Sequence, residues 1–370
     1  MTSSSFATEQ PRGLTECAGS VIYGGFVHAA TFRDNACDLC GHIDDLARLQ
    51  REHGESLTLA QLVAAGLDRL PMPGSGRTLQ RWRQLAAVAA HDLSLVKLFE
   101  GHTDALAILH ELDGPAPPER SRWGTWCAEP PDARLAFVPQ GEGNGVQIRG
   151  TKAWCSGAAS VTDAVVSGWN EAGEPCLAAV AMQQPGVQVT QSGWQAVGMA
   201  ASHSVDVQFA DAHGVLLGSP GDYTRRPGFW QGAAGIAACW FGGALGIAEM
   251  ARELSATSRD PHRLAHLGAI DVAMAGAAAL LREAAAAIDV DPHANAEALA
   301  LRTRLAVEAA AGTVMHHAGR ALGAGPLCRN ARFARAMADL PVFMRQSHAE
   351  RDLAALGQRM VQAGTCPWVL

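Results

Sequence analysis

The hydrophobic period of this chain changes twice, and few architectures accommodate such a pattern. From Thr78, the apolar residues Leu79, Trp82, Leu85 and Val88, then Leu95, Leu98, Phe99, Leu106 and Leu109, recur at helical spacing. They predict two or three antiparallel helices, interrupted near Asp92 and Gly101 and ending at Leu112. Shorter helical patterns precede them at Ile43 to Arg51 and Leu57 to Leu67. The run Asp113-Gly-Pro-Ala-Pro-Pro then stops the helix, because Gly suits a C-cap and successive prolines cannot continue it. Beyond this point the period is 2: Gly145-Val-Gln-Ile-Arg and Ser204-Val-Asp-Val-Gln-Phe alternate, while Asp163-Ala-Val-Val-Ser and Cys176-Leu-Ala-Ala-Val-Ala-Met are apolar runs. After Pro227 the helical period returns in Ala-rich segments at 229–256, 264–288, 296–322 and about 329–361. The predicted class is α+β, mostly α. It comprises an N-terminal helical domain (1–121), a middle antiparallel β-domain (122–224) and a C-terminal four-helix bundle (225–370).

The uncharged stretch Gly228 to Ala248 is long enough to span a bilayer. Glycine and alanine dominate it, and the transfer free energy of such a segment is poor. It is expected to be a buried core helix, with no second span beside it and no membrane crossing. The 29 basic and 36 acidic residues leave a net charge of −7, which gives nucleic acid no basic footprint. Charged residues make up only 18% of the chain, as suits a protein whose subunit contacts cover part of its surface. Residues 1–10 show neither a basic nor an apolar signal region, so the expected location is cytoplasmic. Nine scattered cysteines do not form a disulfide framework.

Cys37-Asp-Leu-Cys40 with His42 has a spacing that suits zinc or thiol exchange, but no second pair completes four ligands, so no metal is expected. Phosphate-binding, nucleophile-elbow and HExxH motifs are absent from the sequence. Two tryptophan-centred segments stand out at predicted strand ends: Arg122-Trp-Gly-Thr-Trp-Cys-Ala-Glu-Pro-Pro and Gly150-Thr-Lys-Ala-Trp-Cys-Ser-Gly. Loops at such places can hold a planar cofactor.

These segments resemble the flavin-binding loops of the acyl-CoA dehydrogenase family, and the resemblance spans about residues 78 to 357. Ala128-Glu129-Pro130 resembles the family's first flavin loop, and Gly150, Lys152, Trp154 and Ser156 match its second. The resemblance implies an FAD cofactor contacted by Trp126, Cys127, Ala128, Trp154, Cys155 and Ser156. An indole such as Trp154 can lie against the flavin ring, and a hydroxyl such as Ser156 can stabilise charge arriving near flavin N5. It also implies a homodimer or homotetramer in which Gly323, in the Gly-rich run 319–325, and Arg263 reach the cofactor of a neighbouring subunit.

Family members that remove an acyl α-proton use a Glu, and the two positions available for it are Met344 and Ile236, neither of which accepts a proton. Arg345-Gln-Ser-His-Ala-Glu-Arg-Asp is a polar run within the last predicted helix. His348 falls near where oxygen-activating relatives on this fold keep a catalytic histidine, although the run also suits ion pairs on a bundle face. The leading expectation is therefore an FAD-dependent oxidoreductase acting on an acyl thioester or related carbonyl, a small-molecule substrate, with an unidentified electron acceptor or flavin reductase. The alternatives are a flavin monooxygenase on the same fold, with His348 as proton shuttle, and a non-catalytic homologue serving binding or assembly.

Overall fold

The computed structural model describes residues 44–364 together with Cys366 and Trp368, so the Cys37, Cys40 and His42 group lies outside the described residues. Helices α1 (44–53), α2 (Leu59–Ala64), α3 (Thr78–His91) and α4 (Leu93–Glu111) come first. The break between α3 and α4 falls at Asp92, whose carboxylate accepts the Leu95 N–H at 2.6 Å and caps α4. Gly101 does not interrupt α4, because the helix is buried on nearly every side and tertiary packing overrides the weak propensity of one glycine.

Seven strands follow: β1 (Trp123–Trp126), β2 (Leu135–Pro139), β3 (Gly145–Cys155), β4 (Asp163–Trp169), β5 (Pro175–Ala181), β6 (Val187–Val189) and β7 (Val205–Leu217). Their order is β1-β4-β2-β3-β7-β5, with β6 on β7, and a further β4–β5 pairing joins the path back on itself. The expectation of an antiparallel sheet needs one correction: β1 meets β4 in parallel, and so does β2 through the single pair Ala136 and Trp169. Both strands run in the same direction because residues 127–134 cross over between them. Side-chain alternation reports which face a residue takes and carries no information about strand direction.

The C-terminal part comprises α5 (Asp222–Arg225), α6 (Pro227–Glu253), α7 (Pro261–Val290), α8 (Glu297–Leu322), α9 (Ala324–Arg329), α10 (Ala331–Phe343) and α11 (Glu350–Gln362). The predicted last helix is thus broken after α10 by a 3-10 turn, Met344–Gln346, an extended Ser347 and a left-handed Ala349 (φ 46°). Pro341 lacks the amide hydrogen a continuous helix needs. The Asp352 carboxylate accepts the His348 N–H at 3.0 Å, and Ser347 Oγ accepts the Ala349 N–H at 3.1 Å. The polar run therefore marks a helix boundary rather than a helix interior.

Helix α6 is the core helix expected from the uncharged stretch. A Cβ on Gly242 would lie 2.2 Å from the Ala86 carbonyl oxygen, and one on Gly246 would lie 2.7 Å from that of Ala90, so α6 packs directly on the backbone of α3. The expectation of no second apolar stretch does not hold: α6 and α7 are both long and apolar enough to cross a membrane, with 78% and 17% of their apolar windows buried. The charge of Asp271 hides α7 from a search for uninterrupted apolar runs.

Candidate flavin and substrate site

A cavity of about 550 Å³ lies where α4, the ends of β1 and β3, α6 and the break after α10 converge. Its β-domain wall is built at an irregularity in β3, whose register with β7 shifts between Lys152 and Cys155. Trp154 sits there in the left-handed region (φ 57°), leaving its indole on the cavity and 51% exposed. The same kink turns Cys155 the other way, into the core, where burial pushes its thiol well above the ordinary value. Cys155 thus does not line the cavity, contrary to its assignment as a cofactor contact. Ser156 does line it, and its Oγ lies 2.7 Å from Ser204 Oγ, which lies 2.9 Å from Ser202 Oγ, making a chain of three hydroxyls. Trp126, Cys127 and Ala128 complete this wall. Trp126 is held by its indole N–H donating to the Ser156 carbonyl at 3.2 Å. Burial pushes the Cys127 thiol up to about 11, so it remains protonated at neutral pH.

Two other motif residues have a different task. Lys152 is fully buried, and its ammonium donates to Glu129 Oε1 at 2.5 Å, to the Ser167 carbonyl at 2.9 Å and to Ser167 Oγ at 2.7 Å. Glu129 Oε2 accepts the Trp169 indole N–H at 2.9 Å. Burial raises the Glu129 carboxyl, but its hydrogen bonds from Lys152, Ser167 and Trp169 outweigh this and hold it below the usual range. The pair ties the 127–134 crossover to β3 and β4, fixing the position of Cys127 and Ala128. Gly150 permits this close approach: a Cβ there would lie 2.4 Å from the Arg134 carbonyl oxygen, and its φ is +119°.

The facing wall is apolar, from Phe229, Ile236, Val342 and Phe343. Ile236, expected from the sequence as one of two positions for an acyl-chemistry Glu, lies on this wall, and Met344, the other, is buried behind the lining. At the mouth His348 lines the cavity, 59% exposed, with Nδ1 3.3 Å from Asp352 Oδ1. Asp339 links this helical wall to the β-domain by accepting the Met199 N–H at 2.5 Å. Burial raises the Asp339 carboxyl above its ordinary value.

Sequence reasoning missed the polar floor. Lys97, Glu100 and Asp104 share one face of α4 and meet Tyr223, Arg226 and Arg304 at the cavity. Lys97 Nζ lies 3.0 Å from Glu100 Oε2. Arg226 lies 2.8 Å from Glu111 and 3.7 Å from Asp104. Burial first, and Asp104 as a like charge, push the Glu100 carboxyl upward. The missed signal was a polar stripe on a helix apolar on its other sides, which points to an interior cavity rather than to solvent. Arg263 and Gly323 do not line this chain's cavity. Both lie at one end of the α7 and α8 pair, within two turns of the contact between His266 Nδ1 and His317 Nδ1 at 2.8 Å.

No family model and no curated protein matches the chain. Solved structures do. Dibenzothiophene monooxygenase TdsC from Paenibacillus sp. A11-2 superposes with a TM-score of 0.73 at 20% identity, over 90% of this chain and 99% of that one. The fold is that of the acyl-CoA dehydrogenases. Methanesulfinate monooxygenase MsuC from Pseudomonas fluorescens gives 0.72 at 21% identity, over 91% of this chain and 99% of that one. The 3-HSA hydroxylase from Rhodococcus sp. RHA1 gives 0.68 at 17% identity, over 90% and 98%. TdsC has also been solved with FMN and indole bound.

Proposed function

We propose that the protein is a flavin-dependent monooxygenase that uses FMN, delivered reduced by a separate reductase, to oxygenate a small organic substrate. The observation carrying this reading is the cavity itself. An indole and a chain of hydroxyls form one wall, the facing wall offers the apolar Ile236, and a histidine stands at the mouth beside Asp352. The acyl-thioester dehydrogenase expected first from the sequence would lack a base at both positions the resemblance offers for it, Ile236 and Met344. The monooxygenase alternative is further supported by the likeness of the fold to two monooxygenases, and FMN rather than FAD by the FMN bound in TdsC.

The lining fits an isoalloxazine ring. Trp154 presents an exposed aromatic face, and Ser156 and Ser204 present hydroxyls, while Trp126, Cys127 and Ala128 would border the ring. A bound reduced flavin supplies the two electrons needed to activate oxygen. The residues of the chain hold and move the proton. Asp352 Oδ1 stands 3.3 Å from His348 Nδ1, a proximity that would favour a proton on Nδ1 and leave Nε2 as the group that accepts or donates a proton at the cavity. The apolar residues Phe229, Ile236, Val342 and Phe343 exclude water around the reacting atoms. Arg263 and Gly323 are proposed to contact the cofactor of a neighbouring subunit in a homodimer or homotetramer.

Oxygen uptake tests the reading. FMN-loaded protein supplied with reduced FMN should consume oxygen faster in the presence of a substrate, and substrate alone should not bleach the flavin under anaerobic conditions. Anaerobic bleaching by an acyl thioester would overturn the monooxygenase reading in favour of a dehydrogenase.

A further inference from the structure

Among the described residues, the cations that line the cavity are matched by carboxylates with one exception. Lys97 pairs with Glu100, Arg226 with Glu111, and Arg345 with Glu308. Arg304, only 8% exposed, has no carboxylate within ion-pair distance. Its Nη1 donates to the Ala233 carbonyl at 3.0 Å and its Nη2 to the Gln346 carbonyl at 2.9 Å, and its guanidinium stacks 4.7 Å from the centroid of the Trp240 ring. These contacts fix its orientation and use two of its five N–H donors, while the carboxylates of Asp352, Glu308 and Glu100 act on its charge only from beyond ion-pair distance. A buried guanidinium stays charged, and an anion placed in direct contact with its remaining N–H donors would offset its desolvation more fully than these distant carboxylates do.

Two neighbouring features point the same way. The Gln346 side-chain amide lines the cavity with its oxygen buried and unpartnered. Rotating that amide by half a turn would present its NH2 to an anion. Arg226, also buried, keeps its Nε without a partner. Against this polar floor stands the apolar wall of Phe229, Ile236, Val342 and Phe343.

We infer that the substrate is an amphipathic organic acid, with an aromatic or aliphatic body against Phe229, Ile236 and Phe343 and a carboxylate or sulfinate head held by Arg304 and Gln346. This rests on the proposed function for the identity of the reaction, but the anion site stands on its own geometry. Arg304 is a specificity residue that selects charged over neutral substrates of the same shape.

Calorimetry with benzoate, benzenesulfinate and benzamide on the FMN-loaded protein tests the inference. Hydrogen bonds to a buried charge predict that the two anions bind at least about tenfold tighter than benzamide. Arg304→Met should erase that preference, and Arg304→Lys should keep part of it, as a point charge without the fork geometry. Equal affinity for benzoate and benzamide in the unaltered protein would overturn the inference without any variant having to fold. So would an Arg304→Met protein that keeps the anion preference. If the protein binds no FMN yet shows Arg304-dependent benzoate binding, the flavin reading fails and the anion site stands.

Discussion

Removing either member of the Glu129 and Lys152 pair should cost very different amounts. Lys152 is fully buried, whereas the Glu129 side chain is 25% exposed. Glu129→Ala leaves a buried ammonium with only Ser167 as partner, and breaking a buried pair from that side costs about 3 to 5 kcal/mol. Lys152→Met leaves a carboxylate that reaches solvent and still accepts from Trp169. This loss should be nearer that of one hydrogen bond to a charged group, about 1.5 to 3 kcal/mol, and the new methionine packs in the vacated core. Urea unfolding of both variants and of the double variant at neutral pH gives the coupling. The order of stability should be unaltered protein, Lys152→Met, then Glu129→Ala, with the double variant more stable than Glu129→Ala alone. Equal losses, or simple additivity, would refute the claim that the buried ammonium sets the cost. The same pair gives an acid limb. Because the folded Glu129 carboxyl titrates below its ordinary 4.5, its stabilisation is fully present above that value and is lost as pH falls through the folded pKa.

Three further outcomes are expected. Trp154→Ala should weaken flavin retention by about 1 to 3 kcal/mol in a fluorescence titration while barely moving the unfolding midpoint, since the indole is half-exposed. His348→Asn should lower substrate-stimulated oxygen uptake by about 10² to 10⁴-fold with FMN affinity unchanged; undiminished uptake would remove His348 from the chemistry. Gly242→Ala should destabilise the fold by about 1 to 3 kcal/mol in urea unfolding, because the added methyl meets the Ala86 carbonyl rather than a movable side chain.

The strands at 145–155, 163–169, 175–181 and 205–217 were legible because alternation and buried apolar runs are local signals. Identical tripeptides were harder to separate. Asp260-Pro-His opens α7, with the Asp260 carboxylate accepting the His262 N–H at 3.0 Å, whereas Asp291-Pro-His forms the turn that follows α7. Trp154 and Ser156 were found because their loop carries its own spacing, yet the kink that sends Trp154 outward and Cys155 inward depends on pairing with β7. The polar floor was invisible for a related reason. Lys97, Arg226 and Arg304 come from separate elements of the chain, and only the assembled fold brings them to one cavity.

The seating of α6 on the backbone of α3 carries a consequence for the order of events during synthesis. The N-terminal helices leave the ribosome well before the segment that covers them, with the whole strand region in between, so their native contacts close a very long loop. Until α6 arrives, the apolar face around Trp82 and Leu85 stays uncovered, a surface that chaperones bind. A chain truncated before residue 227 should therefore be recovered in aggregates or bound to chaperones, whatever the state of its strands.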